Sequence, residues 1–159
     1  MIRALSILGN KYHCTFIGQG DTNDIKVLAK SLGVFEQTSY IARVSNTDLP
    51  RFYSSADCMC VPSLCEGFGI VFIEAAACEC PVITSDIEPM NLYLKHSQSA
   101  ILVKEYTNAH HIAMAIKTVC EDKKLSKFLG KNARKATILF DKAKIQSQEE
   151  SIYKSLLGQ

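Results

Sequence analysis

Short apolar runs and amphipathic stretches alternate along this chain, and the alternation predicts its elements. Residues 2–8 read as the end of a helix, and Tyr12 to Ile17 as a strand closed by Gly18-Gln19-Gly20. Asp21 or Thr22 can cap a helix whose apolar stripe is Ile25, Leu28, Ala29 and Leu32, with Gly33 as its stop. Ser39 to Ala42 is a short strand. Thr47 suits an N-cap, with Pro50 in the first turn and Leu49, Phe52 and Tyr53 behind it. Cys58 to Val61 is an apolar strand ended by Pro62. A helix over 70–79, a buried strand from Pro81 to Thr84, a short helix near 89–95 and a strand at 100–103 follow. After Thr107 the pattern is helical, over about 108–120, 123–139 and 142–157.

Strands alternating with helices through short connections predict an α/β fold with a parallel sheet covered on both faces. Ligands of such sheets bind outside the carboxyl ends of the strands. Gly18–Gly20, Ala42–Val44, Ser63–Gly69 and Ser85–Glu88 all follow predicted strands and are expected to line one rim.

The stretch Glu66-Gly67-Phe68-Gly69-Ile70-Val71-Phe72-Ile73-Glu74 carries the most chemistry. From Ile70 to Cys78 the only polar residue is Glu74, so the helix is expected to be buried all round. A buried carboxylate is costly unless something pairs with it. Gly67 and Gly69 allow backbone to approach a ligand closely, and the helix start behind them suits phosphate. Vicinal hydroxyls of a sugar are good donors to a carboxylate with two oxygens. Glu74 in the second helical turn can therefore hold a ribose while the helix start holds its diphosphate, with Glu66 facing the sugar beyond. The alternative is structural: Glu66 stabilises the helix N-terminus and Glu74 pairs with Arg43.

Composition narrows the picture. The chain has 159 residues, 47% hydrophobic and 21% charged, enough for one domain with a real core. A net charge of +2 with scattered basic residues does not argue for nucleic acid. No run approaches the roughly 20 apolar residues that span a bilayer, and the start does not resemble a signal peptide. Seven cysteines without an export signal suggest free thiols in a reducing compartment. Cys58-Met59-Cys60 and Cys78-Glu79-Cys80 lack the gap usual between zinc ligands, and the four histidines have no ligand spacing. Gly18-Gln19-Gly20 has Asn23 where a dinucleotide fingerprint needs a third glycine. Ser63 lacks the flanking glycines of a nucleophile elbow.

The stretch Pro62 to Ala77 resembles the E-x7-E signature of retaining glycosyltransferases with the GT-B fold, those of the large family 4. The likeness extends over nearly the whole chain: Thr15–Gly20, Ile41-Ala42-Arg43-Val44-Ser45, Asp48–Tyr53, Ala56-Asp57, Pro81–Asp86 and Ala100–Val103 match family blocks in order. The resemblance implies a Rossmann-like doubly wound parallel sheet, the C-terminal half of a GT-B fold, over residues 1–140, followed by a helical tail at 141–159. It implies binding of a nucleoside-diphosphate sugar, with Glu66 as the catalytic residue at the donor sugar and Glu74 on the ribose. Gly67, Phe68, Gly69 and Ile70 would present backbone to the sugar and diphosphate, Arg43 would lie beside the nucleobase, and Gly18 would belong to the donor site. No cofactor and no metal are expected, because basic side chains and the helix end neutralise the diphosphate. The resemblance also implies a cytoplasmic protein; relatives with lipid-linked acceptors attach peripherally to membranes.

The departures carry expectations of their own. The Arg and Lys that grip the diphosphate in family members fall before the region matching Ala4–Leu8, and so does a first strand. The N-terminal acceptor domain is not in this sequence, so a partner domain or chain is expected, and the chain alone is expected to be weak or inactive. The family's glycine after the signature helix is Glu79, expected to strain the helix end, and an acidic position near the donor is Leu92. Ile145, Ile152 and Leu156 are expected to leave an exposed stripe on the last helix. A catalytically inactive fragment or interaction module of the same fold is the alternative function, and a thiol- or metal-responsive protein a third.

Overall fold

The computed structural model describes residues 1–157. Gly158 and Gln159, the end of the expected tail, lie outside the described residues. The elements are α1 (Ile2–Leu8), β1 (Cys14–Ile17), α2 (Asn23–Ser31), β2 (Thr38–Ile41), α3 (Leu49–Ser55), β3 (Met59–Val61), α4 (Ile70–Ala77), β4 (Val82–Ser85), α5 (Met90–Tyr93), β5 (Ile101–Val103), α6 (Ala109–Glu121), α7 (Lys123–Thr137) and α8 (Lys142–Leu156). Their order and type follow the hydrophobic pattern. The cap of α3 differs: Asp48 occupies that position, while Thr47 joins Ser45 and Asp48 in a hydroxyl–carboxylate cluster just outside the helix.

Every strand pairing is parallel, with Cys14 opposite Thr38, Met59 opposite Val82 and Ile83 opposite Ile101. The hydrogen-bonded sheet, however, is in two pieces, β1-β2 and β3-β4-β5. They lie side by side and run the same way. Tyr12 and Cys58 both lie near Cys120, Cys14 is near enough to Cys60 to help raise its pKa, and Phe16 and Pro62 line one cavity.

Side chains alternate between two cores, as a doubly wound sheet requires. Met59, Val61, Val82 and Leu102 pack on one face with Phe72, Ala75 and Ala76 of α4, Met90 of α5 and Ala133 of α7. Cys58, Cys60, Ile83 and Val103 pack on the other with Ala4 of α1 and Ile112, Ile116 and Val119 of α6. A third cluster joins α1 and α2 to β1 through Ile2, Leu5, Ala29, Cys14 and Phe16. Helix α1 thus spans the backs of both sheet pieces.

The end of α4 shows why Glu79 matters. The Cys80 amide donates to the Ala75 carbonyl at 3.0 Å and the Glu79 amide to Ala76 at 3.0 Å. That is a Schellman cap, which needs a left-handed residue at the position Glu79 fills. Glu79 adopts it with φ of 58°. The expected strain is present, at a residue whose Cβ disfavours this conformation. The Glu79 carboxylate then meets Arg134 of α7 at 3.3 Å, both largely exposed.

Beyond α7 a single 3-10 turn (Ile138–Phe140) leads into α8. All of α8 is exposed, including Ile145, Ile152 and Leu156 of the expected stripe. Among the described residues no helix is long and apolar enough to cross a membrane.

Candidate functional site

The loop from Pro62 to Gly69 leaves β3 at its carboxyl end and delivers the chain to α4. It is held from below. The Ser85 hydroxyl at the end of β4 donates to the Ser63 carbonyl at 2.6 Å, and the Ser63 hydroxyl donates to Glu66 Oε1 at 2.5 Å. Ser85 is fully buried, so the hydroxyl that fixes the loop is out of water's reach. A half-buried Glu66 therefore has a set position before any ligand arrives.

Gly69 starts α4 with φ of 76°, and a Cβ there would stand 2.6 Å from Cδ2 of Phe72 and 3.2 Å from the Tyr93 hydroxyl. Both conformation and space demand glycine. Gly67 differs: a Cβ would meet nothing within 4 Å, so the space around it is open. The Tyr93 hydroxyl donates to the carbonyls of Phe68 and Gly69 at 3.3 and 3.4 Å. Burial, and secondarily the nearby Glu66, push its pKa up to about 12, keeping it a donor. Phe68, Tyr93 and Phe140 form a three-ring cluster with centroids 5.3–6.1 Å apart. Edge-on contacts between such rings favour their packing. The turn after α7 therefore clamps the glycine loop from the far end of the sequence.

Helix α4 is not buried all round. Phe72, Ala75 and Ala76 face the core, while Ile70 and Val71 at its start are 63% and 41% exposed. The apolar first turn is open toward solvent, and no side chain caps it. Glu74 is half-buried, and its partner is the Tyr53 hydroxyl of α3, which donates to Oε2 at 3.1 Å. Burial, reinforced by Glu74, pushes the Tyr53 pKa well up. Arg43 is exposed and makes no ion pair with Glu74 among the described residues, so Tyr53 rather than Arg43 is the partner of Glu74. Oε1 of Glu74 has no hydrogen-bond partner among the described residues.

Gly18 bonds its amide to the Ile41 carbonyl at 3.0 Å, tying the ends of β1 and β2 together. Gly18 and Arg43 thus share one sheet piece, Glu66 and Glu74 the other. Leu92 is 62% exposed on α5. Sequence reading missed Tyr53, Ser63, Ser85, Tyr93 and Phe140 as supports of the site. Tyr53 had a signal, an aromatic with a polar tip among the apolar residues of α3; Phe140, more than 70 residues from the loop, had none.

Cys80 is buried, Cys65 is exposed and the other five cysteines are half-buried. All seven cysteines are free, and burial raises Cys14 to about 11 and Cys60 and Cys80 to about 12. Cys58 and Cys120 lie 3.9 Å apart, with Cys58 donating to its partner and so lowering the pKa of Cys120. No group of three histidine, cysteine or acidic side chains forms a metal-holding set among the described residues.

Residues 1–136 match the family described as glycosyl transferases group 1. The chain belongs to that family. It is 30% identical over 138 residues to an uncharacterized glycosyltransferase of Methanocaldococcus jannaschii, covering 85% of this chain and 35% of the relative. Over 76 residues it is 36% identical to the D-inositol 3-phosphate glycosyltransferase of Salinispora tropica, covering 48% of this chain and 16% of that enzyme. Sucrose-phosphate synthase of Thermosynechococcus elongatus superposes with a TM-score of 0.88 at 26% identity over 99% of this chain and 42% of its own. HepE of Anabaena, solved in complex with UDP, superposes with a TM-score of 0.89 at 21% identity over 97% of this chain and 44% of its own. The fold is therefore the Rossmann-like half of a GT-B glycosyltransferase. This glycosyltransferase-family chain spans about a third of the first curated relative and under half of the solved ones.

Proposed function

We propose that the chain is the donor-binding half of a retaining glycosyltransferase that takes a nucleoside-diphosphate sugar. The observation that carries this reading is the pair Glu66 and Glu74, held by separate hydroxyls at either end of an uncapped helix start. Glu74 has one oxygen on Tyr53 and the other available to ribose hydroxyls. The first amides of α4, with Gly67, Phe68, Gly69 and Ile70 presenting backbone, would meet the diphosphate and sugar. Glu66 would stand at the donor sugar, where positive charge develops as the diphosphate departs. Arg43 and Gly18, at the neighbouring sheet piece, would lie toward the nucleobase. This reading calls on no cofactor or metal and places the chain in the cytoplasm, with membrane attachment peripheral. The acceptor half is supplied by a partner domain or chain.

The second reading is an interaction module of the same fold without transfer activity. It is favoured by the absence, from the residues matched here, of the Arg and Lys that the family resemblance places on the diphosphate. Departure of a diphosphate normally needs such charge, and a helix end alone contributes little.

Melting curves with uridine, guanosine and adenosine diphosphate sugars separate the readings. A bound donor raises stability by about 2.7 kcal/mol at a hundredfold excess over its dissociation constant. The expected result is a shift with one nucleotide class that Glu74→Ala abolishes without lowering the ligand-free midpoint. A shift that survives Glu74→Ala would remove Glu74 from the site, and no shift with any donor would leave the interaction module.

A further inference from the structure

Two thiols that the donor reading does not use meet at the start of β3. Cys58, the residue before that strand, and Cys120, in the last turn of α6, have their sulfurs 3.9 Å apart across 62 positions of sequence. Both are half-buried. Neighbouring contacts hold the same two segments together. The Lys123 ammonium at the start of α7 stands 2.7 Å from Asp57. Glu121 accepts from Lys11 at 2.6 Å and from the Tyr12 hydroxyl at 3.3 Å. Residues 57–58 and 120–123 are thus fixed side by side by contacts at successive positions. Cys58 and Cys120 also pack in one apolar cluster with Ile116, Val119 and Leu125.

The two sulfurs are not equivalent. Donation to Cys120, with burial behind it, holds the Cys58 thiol well above its ordinary range. Acceptance of that bond lowers Cys120, and the Lys123 ammonium lowers it further. Cys120 is therefore the readier thiolate, and Cys58 keeps its proton beside it. A reactive thiolate with a second thiol in contact is the arrangement that lets oxidation end in a disulfide. The other cysteines lack one half of it. Burial raises Cys14, Cys60 and Cys80, and Cys65 is exposed. Among the described residues no other two cysteine sulfurs are in contact.

We propose that Cys120 and Cys58 form a reversible oxidation site, at which a hydroperoxide oxidises Cys120 and Cys58 then closes a disulfide onto it. The Cys120 thiolate attacks the terminal oxygen of the hydroperoxide. The S–O bond forms, the O–O bond breaks, and the departing alkoxide takes a proton from water. The sulfur loses an electron pair and the peroxide gains it. The Cys58 sulfur then attacks the Cys120 sulfenic acid. The S–S bond forms, the S–O bond breaks, and the hydroxide leaves as water with the Cys58 proton. The balance is a pair of thiols and a hydroperoxide going to a disulfide, an alcohol and water. The bond ties the start of β3 to the end of α6 and restricts the unfolded chain across 62 positions. It lies at the opposite end of β3 from the Pro62–Gly69 loop, so the inference does not depend on the donor reading.

The test starts from the full chain, reduced with dithiothreitol, freed of reductant and kept dilute. The probe is tert-butyl hydroperoxide, with N-ethylmaleimide blocking the remaining thiols before peptide mapping without reductant. The expected product joins the Cys58 and Cys120 peptides within one chain. Its melting midpoint should rise by about 5–15 °C and return with dithiothreitol. Cys58→Ala should halt the reaction at a Cys120 sulfenic acid that dimedone traps, with no rise in midpoint. Cys120→Ala should leave Cys58 reduced under the same oxidant. Dimedone trapped at Cys58 in that variant would overturn the assignment of Cys120 as the attacking thiol. Mapping of the unsubstituted chain needs no variant to fold. A disulfide through Cys65 between chains, with Cys58 and Cys120 both still alkylated, would sink the proposal.

Discussion

At the scale of single residues, the site depends on hydroxyls and glycine geometry more than on charge. Ser85 fixes Ser63, Ser63 fixes Glu66, and Tyr53 fixes Glu74. Glu74 is thereby oriented from another element, α3, and Glu66 from within its own loop, which β4 anchors. Glu79 is the residue at odds with its place, a left-handed position closing α4 with a side chain that disfavours it. Glu79→Gly should stabilise the chain by about 1 kcal/mol, the cost of that conformation, since the exposed pair with Arg134 contributes little. Denaturant unfolding checks this, and a loss of stability would mean the Arg134 contact outweighs the strain.

At the scale of elements, α4 is positioned by α7 through backbone contact. A Cβ at Gly130 would stand 2.1 Å from the Glu79 carbonyl oxygen, a contact with backbone that no rotamer change relieves. Gly130→Ala should therefore destabilise by about 2 kcal/mol, as overpacking does, and should displace the end of the helix that carries Glu74. Melting of the variant measures the first effect; an unchanged midpoint would show that α7 can move away freely. The sequence pattern announced both helices and their apolar stripes, because helical periodicity is a local property. It did not announce this contact, because an isolated glycine inside a helical pattern marks only low propensity until the facing element is known.

At the scale of the molecule, the chain is a doubly wound domain whose sheet is in two pieces and whose helix α8 is exposed. Ile152 and Leu156 are 58% and 77% exposed, as the stripe on 142–157 predicted. A chain ending at Asp141 should keep its melting midpoint within about 2 °C, since surface residues away from the core change stability little. A larger fall would mean that α8 packs on the domain.

The sequence alone determined the order of elements, the α/β class and the two carboxylates flanking a glycine turn. Periodicity, turn residues and motif spacing are written locally, so they survive without coordinates. Only the tertiary structure decided that Glu74 pairs with Tyr53 rather than Arg43, that α4 opens its first turn to solvent, and that Phe140 reaches back to Phe68 and Tyr93. It also decided that the sheet is divided. These outcomes rest on contacts between residues far apart in the chain, where packing and hydrogen-bond geometry choose among partners that local pattern leaves equivalent.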